Sequence, residues 1–354
     1  MSIIDLEQYG YIESEPLPDG VLHGRVTAVH KERYELATPL GALFGRLKSG
    51  VYYGDGAETF PTAGDYIWFR EVPGGDCQII RTMPRKSQFI RRDPHVGNQA
   101  VAANMDYVFI MTSLNRDFNV KRVERYLVLA RQSGAVPVII LTKADMTDDP
   151  DVQISAMRNV AGDTDIIPVS VVSRVGFDRL DAYLMPGKTV VFLGMSGVGK
   201  SSLLNALMGQ EVMTVNDIRE DDSRGRHTTT HRQLFMLPSG AMVIDTPGMR
   251  SLGMWDAQDG VSETFADVTA LLGTCRFSDC RHQSEPGCAI RAAIESGEFP
   301  AERWERYSNL QREALYSFDK AAVMRERNKV GKTIAKWSRA NKSAKANWRR
   351  SGSM

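Results

Sequence analysis

Residues 194–201 read GMSGVGKS, with the apolar run TVVFLG before them and the helical stretch SSLLNALMG after them. A G-x-x-x-x-G-K-[ST] loop set between a strand and a helix demands an α/β architecture, in which a parallel sheet delivers the loop at its carboxyl edge. Neighbouring runs agree. YVFIMTSL, PVIILTKAD and DIIPVSV are apolar and β-branched, the composition of parallel strands buried on both faces. Between the first two, VKRVERYLVLARQSG has helical spacing and stops at Gly134. The alternation predicts a doubly wound sheet with helices on both faces.

The loop Gly194, Met195, Ser196, Gly197, Val198, Gly199, Lys200 and Ser201, with Ser202 behind it, is the expected phosphate site. Glycines let backbone N–H groups face the phosphates, Lys200 reaches the β- and γ-phosphates, and the Ser201 hydroxyl meets Mg²⁺. DTPG at 245–248 follows the strand AMVI, so Asp245 is placed to hold the metal through water and Gly248 to give its N–H to the γ-phosphate. TKAD (Thr142, Lys143, Ala144, Asp145) ends another strand. Asp145 can accept both N1–H and N2–H₂ of guanine, a donor pair adenine lacks, which selects GTP over ATP. Lys143 is expected along the guanine ring. Thr142 stands where Asn is usual, which removes one amide from the base pocket. Ser170, ending IIPVS, reads as a further base contact or as a turn residue. Between loop and DTPG runs TVNDIREDDSRGRHTTT, a polar segment read as a nucleotide-dependent switch or an ordinary solvated loop. Its G-x-x-T spacing after Gly225 nominates Thr228 to complete the magnesium set of Ser201, Thr228 and Asp245.

Outside this region, short alternating runs from Val21 to Pro84 predict a small all-β unit of five strands, an OB-type or SH3-like barrel. A basic connector, RKSQFIRRDPHVGNQAVAANMD, follows it. Cys275, Cys280, His282 and Cys288 form C-x4-C-x-H-x5-C, three thiolates and an imidazole. That donor set suits one tetrahedral structural Zn²⁺, expected to supply much of the folding energy of a segment poor in apolar residues. Cys77 stands apart and is expected in a core. PAERWERYSNLQREALYSF places Trp304, Tyr307, Leu310, Leu315 and Phe318 near helical spacing. Ala321 to Met354 carries ten of the 44 basic residues against one of the 43 acidic ones. The net charge of +1 therefore hides a basic tail on an acidic body. Trp337 and Trp348 interleave with the cations, a pattern for phosphate neutralisation and base stacking on RNA, or simply a solvated tail. No run approaches the roughly 18 apolar residues of a membrane span and no leader pattern opens the chain, so the expectation is a cytoplasmic protein with no membrane contact, with a monomer as the default state.

The order of the motifs is unusual. TKAD precedes the phosphate loop, which precedes DTPG, and no second [NT]KxD follows Gly248. The GTPase unit is therefore circularly permuted. Through TKAD, GMSGVGKSS, GRHTTT and DTPG in that order, with the cysteine cluster, the chain resembles the RsgA/YjeQ family of ribosome-small-subunit-dependent GTPases over nearly its whole length. The resemblance implies an OB barrel at 1–88, a permuted GTPase at 89–255, a zinc-binding helical unit at 256–330 and a basic tail at 331–354. It also implies a late assembly factor that binds the immature 30S subunit and its 16S rRNA near the decoding region, hydrolyses GTP to GDP and leaves.

The cysteine spacing is that family's spacing. Position 249 is Met, where Ras-like enzymes place a water-orienting Gln, so slow intrinsic hydrolysis stimulated by the 30S subunit is expected. His227 is the candidate to orient the water, a role the resemblance supports, with a structural role as the alternative. Because the DTPG strand runs directly into the C-terminal unit, nucleotide state is expected to move it. Two other functions fit parts of the chain: a GTP-responsive RNA-binding assembly module with negligible turnover, favoured by Met249, and an ATP-using kinase or transferase, opposed by Asp145.

Overall fold

The computed structural model describes residues 4–12, 16–30, 33–48, 52, 59–93, 97–115, 118–147, 149–213, 232–245 and 257–315. His227, Thr228, Gly248, Met249, Trp337, Trp348 and Phe318 lie outside the described residues, as does the basic tail.

Five strands, β1 (Leu22–His30), β2 (Arg33–Thr38), β3 (Gly41–Leu47), β4 (Tyr66–Arg70) and β5 (Cys77–Thr82), pair in the order β1-β2-β3-β5-β4. A β1–β4 pairing closes the ring, and β3 meets β5 in parallel. This is the Greek-key closure of an OB-type barrel, not the SH3-like alternative. Val26, Leu36, Ile67, Phe69, Cys77 and Ile79 fill its interior, as period-2 alternation directs.

The basic connector is not a linker but a hairpin, β6 (Gln88–Asp93) with β7 (Gly97–Ala103). Its short strands, β6 interrupted by Arg91 and Arg92 and β7 rich in alanine, carry too little alternation to be read from the sequence.

Beyond it lie β8 (Tyr107–Ser113), α1 (Val120–Gln132), β9 (Val136–Thr142), α2 (Asp151–Ala161), β10 (Ile166–Val169), α3 (Phe177–Leu180), β11 (Thr189–Gly194), α4 (Lys200–Met208), β12 (Arg232–Met236) and β13 (Met242–Asp245). Strands β10-β9-β8-β11-β13 are parallel and β12 is antiparallel. Alternate residues of each central strand enter opposite cores. Val108, Ile110, Val191 and Leu193 join α1, whereas Phe109, Met111, Val190 and Phe192 join α3 and α4. Helix α1 starts because the Asn119 side chain accepts the Arg122 N–H at 3.0 Å. Since α1 and α4 leave adjacent strands β8 and β11 toward opposite faces, the strand order reverses between them. That reversal opens a crevice at the carboxyl edge of the sheet, where α/β folds bind ligands.

The barrel is not a separate bead. Strand β12 pairs with β1 (Ala28 with Gln233, Val29 with Arg232), so the α/β sheet runs into the barrel as one eleven-stranded sheet. A bulge between Val26 and Ala28 accompanies this sharing of β1 among three partners. Beneath the seam the fully buried Arg25 of β1 donates to Thr189 Oγ1 at 2.9 Å and Gly64 O at 3.2 Å, and also to Tyr9 O. Burial pushes its pKa down.

The C-terminal module comprises α5 (Gln258–Thr264), α6 (Ala266–Thr269), α7 (Ala289–Ser296) and the helix at 301–315 (α8). Phe265, Val268, Ile290, Phe299 and Tyr307 are buried in the same core as α1. The module is thus seated by apolar packing against α1 in addition to whatever its cysteine–histidine cluster supplies. On α8, Tyr307 is buried and Trp304 and Leu310 are partly covered, but Leu315 is 44% exposed. Ala314 and Arg303 occupy the inner face instead.

Candidate functional site

Two glycines of the loop answer to geometry. A Cβ on Gly194 would lie 2.7 Å from the Met111 carbonyl oxygen, and Gly199, at φ +105°, turns the chain into α4 through a left-handed conformation. Val198 is buried between them and anchors the loop, while Ser196 and Gly197 are exposed. Lys200 leads α4 and folds back, its Nζ donating to Gly194 O at 2.9 Å and Met195 O at 2.6 Å. Ser201 and Ser202 follow in the first helical turn, beside the N–H groups a phosphate requires. Asp245 ends β13 near Lys200; burial raises its pKa and the lysine charge opposes the rise.

The guanine motif meets this loop at Thr142. Its hydroxyl donates to the Val198 carbonyl at 2.6 Å, so the residue brackets the phosphate loop to the end of β9. Thr142 therefore acts as a tether, although it presents no amide to a base. Lys143 adopts φ +58° and turns the chain into the single helical turn Ala144–Met146. Asp145 is exposed on that turn. Ser170, fully buried at the end of β10, accepts from the Ser173 N–H at 3.1 Å and donates to Asp145 Oδ1 at 2.5 Å. It orients the carboxylate and has no hydrogen left to give a base. A cleft of about 90 Å³ lies in the crevice between β8 and β11, lined by Met111, Ser113, Arg122, Met195, Ser196 and Val198. Sequence reasoning missed Arg122, one cation among several on a helix. A larger concavity of about 300 Å³, between α3 and α4, includes none of the nucleotide motifs.

In the C-terminal module, His282 Nδ1 lies 3.5, 3.7 and 3.5 Å from the sulfurs of Cys275, Cys280 and Cys288. A tetrahedral ion with ordinary Zn–S and Zn–N bonds sets those atoms about 3.6 Å apart. The four ligand atoms all lie within 4.8 Å of one another, so the cluster can hold a metal ion. Cys288 leads into α7, and the Ala289 N–H donates to the Cys275 sulfur at 3.4 Å. Glu285 closes the intervening loop: backbone N–H groups of its own residue, Arg281 and Gln283 hold its carboxyl down to about 2.

Residues 82–255 match the model of the RsgA GTPase family. Over 341 residues the chain is 42% identical to the small ribosomal subunit biogenesis GTPase RsgA 1 of Listeria monocytogenes, covering 95% of this chain and 97% of that protein. The chain belongs to the RsgA family. The RsgA of Methanosarcina acetivorans is 41% identical across 85% of this chain and 82% of its own. The crystal structure of YjeQ from Thermotoga maritima superposes with a TM-score of 0.61 at 25% identity, covering 83% of this chain and 99% of that one. YloQ, described as a circularly permuted GTPase, gives 0.59 at 25% identity over 83% and 95%. As an RsgA-family member the chain is a GTP hydrolase built on a permuted α/β unit, with an OB-type barrel before it and a metal-binding module after it.

Proposed function

We propose that this GTPase acts on the small (30S) ribosomal subunit, binding 16S rRNA and hydrolysing GTP to assist a late step of its assembly. The observation that carries the reading is the single sheet joining the nucleotide crevice to the OB-type barrel, in a chain whose full-length relatives are named for small-subunit biogenesis. On the outer barrel face the Arg33 guanidinium lies 3.7 Å from the centroid of the exposed Phe44 ring, and Arg33 and Arg46 share Asp76. Such a surface, with the basic tail, suits unpaired RNA.

In this reading Asp145 reads guanine, Lys143 covers the ring and Ser170 fixes Asp145. Lys200 and the N–H groups of residues 194–202 hold the phosphates, and Gly248 meets the γ-phosphate. Ser201, Thr228 and Asp245 would hold Mg²⁺, which supplies charge neutralisation to the phosphates. Cys275, Cys280, His282 and Cys288 would hold one structural Zn²⁺, leaving no open position for catalysis. His227 orients the attacking water, which Met249 cannot do. The protein works as a cytoplasmic monomer without membrane contact; no described helix is long and apolar enough to cross a membrane.

Hydrolysis of GTP and ATP is measured with and without purified 30S subunits, for the native chain and for H227A. The native chain hydrolyses GTP alone and accelerates on 30S subunits, while H227A binds nucleotide normally and loses the acceleration. Equal rates with and without 30S subunits refute the ribosomal reading, and unimpaired acceleration in H227A refutes the histidine.

A further inference from the structure

Among the described residues lining the crevice at the strand-order reversal is a cation that no nucleotide motif claims. Arg122 sits in the first turn of α1, which leaves β8 beside the phosphate loop, and it lines the cleft with Met195 and Ser196. It is the one charged side chain among the described residues lining that cleft. The cleft's position along the bound triphosphate follows from Lys200. This lysine is the β,γ-phosphate cation of such loops, and its Nζ reaches the carbonyls of Gly194 and Met195. The Gly194–Ser196 end of the loop is therefore its γ-phosphate end, and Arg122 stands at that end.

The chemistry leaves a role open there. In GTP hydrolysis the water oxygen forms a bond to the γ-phosphorus while the bond to the β,γ-bridging oxygen breaks. Its electron pair leaves with GDP, and the water's proton passes to the phosphate product. Charge grows on the bridging and γ-oxygens during the transfer. An arginine donating to those oxygens stabilises it, whether supplied by a partner or by the same chain.

We propose that Arg122 is a built-in arginine of this GTPase, a catalytic cation that enters the γ-phosphate end of the crevice from α1. The inference rests on the GTP site proposed above. It places on the helix after β8 a function that other GTPases obtain from a switch segment or an activating protein. Because α1 also carries Glu124, which pairs with Arg303 at 3.3 Å and Arg306 at 2.5 Å of the C-terminal module, a subunit that engages this module has a mechanical route to the arginine.

The test compares native protein, R122A, R122K and R122M, with K121A as a control for loss of a neighbouring exposed cation. GDP affinity, the affinity gain when aluminium fluoride is added with GDP, and single-turnover hydrolysis on 30S subunits are measured. The expected result for R122A and R122M is GDP affinity within twofold of native, loss of the fluoride-dependent gain, and a rate lower by on the order of a hundredfold. R122K recovers part of the rate and K121A matches native protein. Should R122A be poorly folded, R122M, which keeps the apolar stem, decides. An unchanged rate in R122M, or a fall in rate matched by an equal fall in GDP affinity, overturns the proposal. A native chain that neither binds GDP nor hydrolyses GTP instead overturns the GTP site itself.

Discussion

Thr142 and Ser170 do their work through one hydroxyl each, and neither hydroxyl points its hydrogen at a ligand. The first ties the phosphate loop to the guanine motif through Val198, and the second aims Asp145. Replacing Thr142 by Val keeps shape and removes a neutral hydrogen bond worth about 1 kcal/mol, so GDP affinity is expected to fall roughly fivefold. Ser170→Ala removes a bond to a charged carboxylate, about 2 kcal/mol or roughly thirtyfold, and is expected to weaken GDP binding more than the valine does. Fluorescent-GDP titration of both variants checks the ranking; a weaker effect at Ser170 than at Thr142 contradicts the orienting role. Asp145, the proposed guanine contact, was legible because guanine recognition needs a carboxylate after a strand. The positions of these two hydroxyls were not, since each depends on a partner dozens of residues away along the chain.

Among the elements, α1 carries the heaviest traffic. Its outer end lines the nucleotide crevice, and its buried Glu124 pairs with Arg306 at 2.5 Å and Arg303 at 3.3 Å of α8. Arg303 also donates to Asp267 of α6 at 2.7 Å and to Thr264 O at 3.1 Å. Arg125 of α1 adds a bidentate pair with Glu313 at 2.5 and 2.6 Å. Arg303→Ala strips a buried carboxylate of one partner and is expected to loosen α8 by about 3 kcal/mol near neutral pH. Burial already pushes the Glu124 pKa up, while Arg306 and Arg303 pull it down, so removing Arg303 raises it further. On acidification Glu124 takes up its proton earlier in the variant, its charge, now compensated by Arg306 alone, disappears, and the deficit shrinks. Native-state proteolysis at pH 7 and pH 5 measures the effect; a deficit that grows with acid contradicts this sign. Composition could not reveal the clasp, because Glu124 and Arg303 look like ordinary exposed charges of amphipathic helices.

Across the whole molecule, the barrel, the α/β sheet and the C-terminal module share a sheet on one side and a core on the other. Chelating the metal is expected to release the segment at 274–288 while α5 and α8 remain docked, because Phe265, Phe299 and Tyr307 stay buried against α1. Hydrogen exchange after chelation tests this, and loss of protection throughout 257–315 would show that the metal holds the entire module. The DTPG strand leads into that module, so exchange within 257–315 is also expected to differ between GDP and a non-hydrolysable GTP analogue. Identical exchange in both states would refute the coupling. The sequence by itself determined the parallel α/β unit, the permuted motif order, the barrel and the metal ligands, because strand and helix periods, glycine dihedrals and ligand spacing are local properties of a chain. Only the tertiary structure decided that β12 zips onto β1, that Arg25 is sealed beneath the seam, that α8 is clasped to α1 and that Arg122 faces the phosphate loop. Those juxtapositions arise from packing between segments far apart along the chain, which no local period records.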